Sequence, residues 1–537
     1  MTAQISSRKW TATGTTTSIT AVAAAASPGG NPAGAGYGDD VTAEELERRL
    51  GAVPAGDATA FHVWAPAARE VEVLAGGRRH PLDRDGGGVH VGKLPISPGA
   101  DYGYLLDGGE PLPDPCSRWQ PEGLRGPSRV LDTACLAIAD GPELAPEELV
   151  IYELHVGAFT AEGTFDAVIP HLAGLRELGV TAVELMPVAT FPGTRGWGYD
   201  GVYTWAPHHA YGGPQGLARL VDAAHRAGLA VILDVVYNHI GPGSERIARF
   251  GPYFTDRHET FWGAAIDYSQ PAVRAWAIGN ALLWACDYRI DGLRLDAVHS
   301  VFDDSPVHVL RELAERVPAL VIAEMGHDDF RPLDEWGHDA MWLDNLHHEL
   351  HVLMTGERDG YYAAFGSMDG LVRELRRPSP ERLVVAAQNH DQIGNRAFGD
   401  RLAPEAHRVA LAVVLFSLAT PLLFMGEEHD EPAPFRFFTD HDDPVIAEAT
   451  REGRRREFAA FAAFAGEEIP DPQEPATFER SRISHPEPDP FYRELLRLRR
   501  ELPRELEASA DGPVLTLRRG PATLIADLER RTVRLET

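Results

Sequence analysis

Three carboxylates, Asp296, Glu324 and Asp391, each follow a separate apolar run, in DGLRLDAVH (291–299), VIAE (321–324) and QNHDQIGN (388–395), with DVVYNH (234–239) ahead of them. Retaining cleavage of a sugar acetal needs one carboxylate as nucleophile and one carboxylic acid to protonate the leaving oxygen, about 5–5.5 Å apart. The third carboxylate suits stabilisation of the developing positive charge. Arg294 and Asp296 are two apart on a strand and so point to the same side. A permanent cation there favours the ionised, nucleophilic form of Asp296. Glu324 leaves the end of the run LVIA, and lost solvation at such a dry strand end favours a protonated general acid. Asp391, with His390 beside it, sits in a polar knot suited to sugar hydroxyls.

Around these lie Asp234, Asn238 and His239. Alternation puts Asp234 and Asn238 on one face, so Asp234 is expected to hold Arg294 and a neighbouring loop, and His239 to meet substrate hydroxyls. The loop GTRGWGYDGVYTWAPHHAYGGP (193–214) is rich in Trp, Tyr and Gly. Aromatic faces stack on pyranose rings, and Tyr199 is the expected partner of the cleaved sugar. Each feature alone has a plainer reading: an Arg–Asp pair capping a strand, a rim glutamate, a loop packing on itself through Trp197 and Trp205. The three carboxylates behind neighbouring strands favour catalysis. No HExxH or comparable ligand spacing occurs, so neither a metal nor another cofactor is expected.

Eight strand-like runs position these residues: 149–156, 182–188, 230–238, 292–298, 320–325, 340–346, 382–391 and 421–428. Amphipathic helices are readable between them at 166–178, 215–227, 271–287, 305–316, 368–376 and 404–418. That alternation predicts an α/β fold, a (β/α)8 TIM barrel over 148–503 with polar residues at the strands' C-terminal ends. The helix 491–503 is its eighth. Ahead of it, FHVWAP (61–66), EVEVLA (70–75) and runs near 89–93 and 102–106 predict an N-terminal β-sandwich, immunoglobulin-like, over 42–147. Thr42 and Glu45 offer a capping box to a short helix. Residues 1–41, poor in large apolar residues, read as a disordered tail. Runs at 514–519, 523–528 and 532–536 predict a short C-terminal β-sheet domain over 504–537.

The chain has 537 residues and a formal charge of −30, which disfavours nucleic acid or an anionic membrane as partner and leaves a neutral substrate. Its three cysteines, Cys116, Cys135 and Cys286, have no CxxC spacing, and no run reaches the roughly 18 apolar residues of a spanning helix. A cytoplasmic location is expected.

The four segments DVVYNH, GLRLDAVH, IAE and QNHD resemble the signature segments of the α-amylase superfamily of glycoside hydrolases, family 13. The resemblance implies Asp296 as nucleophile, Glu324 as acid/base and Asp391 as transition-state stabiliser. Tyr199, Asp234, His239, Arg294, His299, His390, Gln392 and Asn395 would form the surrounding subsite. FHVWAPAAREVEV, PDPCSRWQPEGLRGPS (113–128), VIYELHVGAFTAEGTF (150–165), DNLHHELHVLMTGERDGYY (344–362), NHDQIGNRAFGDRL (389–402) and PFRFFTDHDDP (434–444) further resemble the malto-oligosyltrehalose trehalohydrolase family. That likeness implies cleavage of the α-1,4 bond next to the terminal trehalose of maltooligosyl trehalose. Asp344, Asn345 and His347 would contact the trehalose end. It also implies a functional partner, the malto-oligosyltrehalose synthase that makes the substrate. A glucan branching or debranching enzyme is the alternative within the superfamily, separable by its α-1,6 products. A non-catalytic glucan-binding protein is the alternative of another class, and the three carboxylates speak against it.

Overall fold

A computed structural model describes residues 43–143, 145–260, 263–326, 328–459 and 469–537. The expected tail, 1–41, and Thr42 of the expected capping box lie outside the described residues. The N-terminal strands alternate buried and half-buried side chains, which makes each sheet one-sided. One four-stranded sheet contains Gly51–Ala55, Ala58–Trp64, Val89–Leu94 and Asp83–Arg84; the other contains Arg78–Pro81, Val71–Ala75, Asp101–Leu106 and Ser128–Arg129. Phe61, Val63, Val71 and Val73 fill the space between the sheets, and the Phe61 ring meets Tyr102 edge-on at 5.2 Å. Trp64 meets Tyr253 of the barrel segment at 5.3 Å, so the sandwich and the barrel share apolar surface.

Eight parallel strands close into a barrel: Ile151–Leu154, Ala182–Leu185, Ala230–Val235, Gly292–Leu295, Leu320–Glu324, Ala340–Trp342, Leu383–Ala386 and Thr420–Phe424. Closure comes from the first strand pairing with the eighth, Ile151 opposite Leu422. The strands are buried on both faces, the condition that makes them read as continuous apolar runs. Inward residues alternate. Ile151, Ala182, Ile232, Ile322 and Ala340 belong to an apolar plug in the lumen. Two residues further along the same faces come Glu153, Glu184, Asp234, Glu324 and Trp342, so the lumen turns polar towards the strands' C-terminal ends.

Some boundaries differ from the pattern. The helix expected over 305–316 begins at Val309, since Asp303 spends its carboxylate on the amides of Ser305 and Val309 and shapes a loop. Between the eighth barrel strand and the helix Pro490–Glu501 lies a further helix, Pro444–Ala459. The C-terminal sheet has four antiparallel strands, with Glu507–Asp511 added to the three expected. It is anchored by two buried arginines. Arg499 donates to the carbonyls of Ser417 and Ala419, and Arg519 to those of Leu502 and Arg499. No helix among the described residues is long and apolar enough to cross a membrane.

Candidate active site

The polar mouth of the barrel is organised by Arg294. Its side chain is fully buried, with Nη1 2.8 Å from Asp234 Oδ2 and 2.9 Å from Asp296 Oδ1, and Nη2 2.9 Å from Glu324 Oε2. Its guanidinium carbon lies 4.3 Å from the centre of the Trp342 ring, which shields it as a cation–π partner. One cation therefore holds the nucleophile and acid/base candidates from adjacent strands. Asn238 fixes Asp296 from the other side, donating from Nδ2 to both the carboxylate (2.7 Å) and the backbone carbonyl (2.9 Å). The next residue, Ala297, adopts the left-handed conformation, φ 41°, and its amide donates to Glu324 Oε2 at 2.8 Å. The peptide between 296 and 297 thus ties both carboxyl groups together, at the strain a non-glycine residue carries there.

Asp391 is partly exposed, with Asn395 Nδ2 donating to it at 3.0 Å. His390 underlies it. That ring is buried between Glu153, which accepts from Nδ1, and the hydroxyl of Tyr199, 2.8 Å from Nε2. Burial opposes charging His390, but the Asp391 and Glu153 carboxylates outweigh it and push its pKa up to about 10. Tyr199 passes its own hydroxyl hydrogen to Asp234 at 2.6 Å and stacks on His390 at 5.2 Å. Asp234 has lost all solvent contact, and burial raises it to about 7 although Arg294 pulls the other way. A connected chain therefore runs from Glu153 through His390, Tyr199, Asp234 and Arg294 to Asp296 and Glu324.

The Tyr199 loop is pinned from outside. Asp440 accepts from the Thr194 amide at 2.8 Å and from Arg195 Nη2 at 2.6 Å. Trp197 stacks on Phe435 at 5.3 Å and donates to the Arg436 carbonyl, so this ring packs the loop down, and Trp205 is buried near the sandwich. Gly198 has φ +98°, and a Cβ there would stand 2.2 Å from the Pro187 carbonyl oxygen. Only glycine delivers Tyr199 to His390 by this route.

Other expected contacts divide. Asp344 is exposed at the cleft floor yet crowded by protein. Lost solvation and then the charges of Glu324 and Asp391 push it up to about 7. Gln392 donates to it at 3.0 Å, Asn345 turns to Asp328, and His299 is exposed at the rim. His347, expected at a sugar, is buried, with its nitrogens at the Ala387 carbonyl (2.6 Å) and the Tyr362 hydroxyl (3.0 Å). The helix Asn345–Thr355 turns it inward. His239 likewise braces the Tyr199 loop, its Nε2 2.8 Å from the Tyr199 carbonyl, and burial lowers its pKa to about 4. Glu153, Glu184, Trp342 and Ala297 were not singled out from the sequence. Glu184 has both carboxyl oxygens buried with no hydrogen-bond partner among the described residues, and burial raises its pKa well above the ordinary range.

The comparisons with known proteins agree with this geometry. Residues 139–257 match the model of the alpha amylase catalytic domain, and 49–119 that of carbohydrate-binding module 48, the isoamylase N-terminal domain. The chain is 41% identical over 532 residues to malto-oligosyltrehalose trehalohydrolase of Deinococcus radiodurans, covering 89% of this chain and 88% of that one. The chain belongs to the malto-oligosyltrehalose trehalohydrolase family. A crystal structure of a candidate alpha amylase from Salmonella typhimurium superposes with a TM-score of 0.82 at 37% identity, covering 89% of this chain and 92% of the other. Likeness to the 1,4-alpha-glucan branching enzyme of Rubrobacter xylanophilus spans 48% of this chain and 40% of that enzyme. The family is thus a glycosidase family built on an α-amylase-type barrel.

Proposed function

We propose that the protein hydrolyses, with retention, the α-1,4 bond next to the terminal trehalose of maltooligosyl trehalose, releasing trehalose and a shorter glucan. The observation that carries the reading is Arg294 holding Asp296 and Glu324 at 2.9 Å each on adjacent strand ends, in a chain similar over nearly its whole length to an enzyme of that name. Asp296 attacks the anomeric carbon while Glu324 protonates the leaving oxygen, giving a glycosyl ester on Asp296. Glu324 then takes a proton from water, whose oxygen attacks the same carbon and expels Asp296 as carboxylate. Asp391 stabilises the oxocarbenium-like charge in both steps. Tyr199 covers the cleaved ring, and Asp344 and His299 face the sugars around it, with Gln392 holding Asp344 and Asn345 turned to Asp328. Arg294, Asp234, His390, His239 and Asn395 hold this set in place.

The synthase that caps glucans with trehalose is the functional partner, and a cytoplasmic location accords with three unpaired cysteines. The test is incubation of purified protein with maltotriosyl trehalose and, separately, maltopentaose and amylopectin. Rapid trehalose release with little action on the other two is the expected result. Branch formation or cleavage, with the capped substrate untouched, would replace the reading with that of a branching or debranching enzyme.

A further inference from the structure

The helix that carries Asp391, His390–Gly394, has five residues. So short a helix does not hold itself, and both of its ends need outside partners. At the first turn Asn389 Oδ1 accepts from the Gln392 amide at 3.0 Å. The last turn is held from outside the barrel. Arg454, on the helix Pro444–Ala459, donates from Nη2 to the carbonyls of Gly394 at 3.0 Å and Arg396 at 3.4 Å. A cation at the carbonyl end of a helix also meets the favourable end of its dipole. These two carbonyls flank Asn395, whose side-chain Nδ2 donates to Asp391 Oδ1 and whose amide donates to the Asp391 carbonyl. Arg454 thus grips the chain on either side of the residue that fixes the carboxylate.

Arg454 is itself seated by its surroundings. Its guanidinium carbon lies 5.0 Å from the centre of the Phe437 ring, a cation–π contact, and that ring meets Trp197 edge-on at 5.2 Å. Trp197 packs so closely on the same helix end that a Cβ on Gly394 would stand 2.1 Å from its Cζ2. Arg451, one turn before Arg454, pairs with Asp471 at 2.7 Å and fixes the outer helix in turn.

We propose that Arg454 is a positioning residue for Asp391, acting through Asn395, so that a helix outside the barrel belongs to the frame of the active site. This rests on the role given to Asp391 above. A carboxylate stabilises charge at the anomeric carbon only where it is held in place before the charge develops. Without the grip of Arg454 the end of the short helix is released, and Asn395 and the Asp391 carboxylate move with it. The contacts of Tyr199 and Asp344 with the sugars remain. Transition-state stabilisation is therefore lost while substrate binding is kept, which lowers kcat and leaves KM in place.

The test is a double-mutant cycle on maltotriosyl trehalose. Arg454→Met keeps much of the side chain's length and removes its charge and its donors. Its kcat should fall by about 10²-fold, the scale of a 1 Å misplacement, with KM within about 2-fold of the parent. Arg454→Lys, which keeps the cation, should recover part of the loss. In the Asp391→Asn background, followed at single turnover with enzyme in excess, Arg454→Met should cost less than about 2-fold more. A loss of equal size in both backgrounds, or a change in KM alone, overturns the inference. Should Arg454→Met fail to fold, Arg454→Lys takes its place in the cycle, with a smaller loss that should likewise vanish beside Asp391→Asn. Crystal structures decide independently of turnover: a displaced Asp391 carboxylate in the Arg454 variant supports the inference, and an unmoved one overturns it. Absence of trehalose release by the unaltered protein would instead sink the proposed function, and the crystallographic comparison would still decide the part played by Arg454.

Discussion

Replacing Arg294 by methionine keeps most of the side chain's volume and removes its charge. The three carboxylate contacts at 2.8–2.9 Å amount to about 6 kcal/mol each at an effective dielectric of about 20, a gross figure largely offset by the cost of burying the ions. Removing one partner of such a buried network leaves uncompensated charge and costs about 3–5 kcal/mol. The loss should depend on pH with a definite sign. Asp234 has a value of 3.8 when unfolded and about 7 when folded, raised by burial against the pull of Arg294. On its account the parent loses stability as pH rises from about 4 to 7, and no further. Without Arg294 the folded value moves above 7, so the variant goes on losing up to about 1.4 kcal/mol per pH unit where the parent is level. Urea unfolding of both proteins at pH 6, 7, 8 and 9 should therefore give a stability difference that is flat to about pH 7 and grows above it. A difference independent of pH, or below about 1 kcal/mol throughout, would refute the reasoning that Arg294 neutralises Asp234 inside the barrel.

Glu324→Gln removes the acid/base and should lower kcat on maltotriosyl trehalose by about 10²–10⁴-fold, while a glycosyl fluoride, whose leaving group needs no proton, should lose far less in its first step; equal losses would contradict the role. Gly198→Ala forces a Cβ against the Pro187 carbonyl and displaces Tyr199, so kcat should fall by about 10²-fold, the scale of a 1 Å misplacement; parent-like kinetics would show that the loop has slack. Glu153→Gln removes a carboxylate that raises His390, so the ring should lose its proton below pH 10 and the alkaline limb of kcat/KM should move to lower pH. His390 is raised when folded, so the stability it contributes, full below about pH 6.5, should also disappear at lower pH in the variant. An unmoved limb, with the His390 NMR titration also unmoved, would uncouple the two residues.

The eight strands were legible because a parallel strand buried on both faces is a short apolar run, and the carboxylates because each ends one. Arg294 and Asp296 could be placed together from their two-residue spacing alone. Glu153 and Glu184 were not legible in the same way: within YEL and VEL each reads as a single polar residue in an apolar run. Only the register, which sets Glu153 opposite Glu184, shows two acids meeting in the lumen. His347 was placed at a sugar by resemblance alone, and no residue pattern announces that the helix starting at Asn345 sets its ring against the Ala387 carbonyl and the Tyr362 hydroxyl. The left-handed turn at Ala297 leaves no mark in the residue type. Glu507–Asp511, with the sequence EASAD, has no strand propensity and becomes a strand by pairing with Val514–Arg519.

The pairing of the first barrel strand with the eighth, Ile151 opposite Leu422, bears on how the protein is made. As the chain leaves the ribosome, seven strands can assemble into an open sheet with two unpaired edges, a template for aggregation. Those edges are consumed only when residues 420–424 emerge. His390 needs Glu153 from the opposite end of that sheet, so activity and protection from misassembly arrive together, late in synthesis. A message broken before codon 424 would yield no weakened enzyme, only a sticky fragment for proteases to clear.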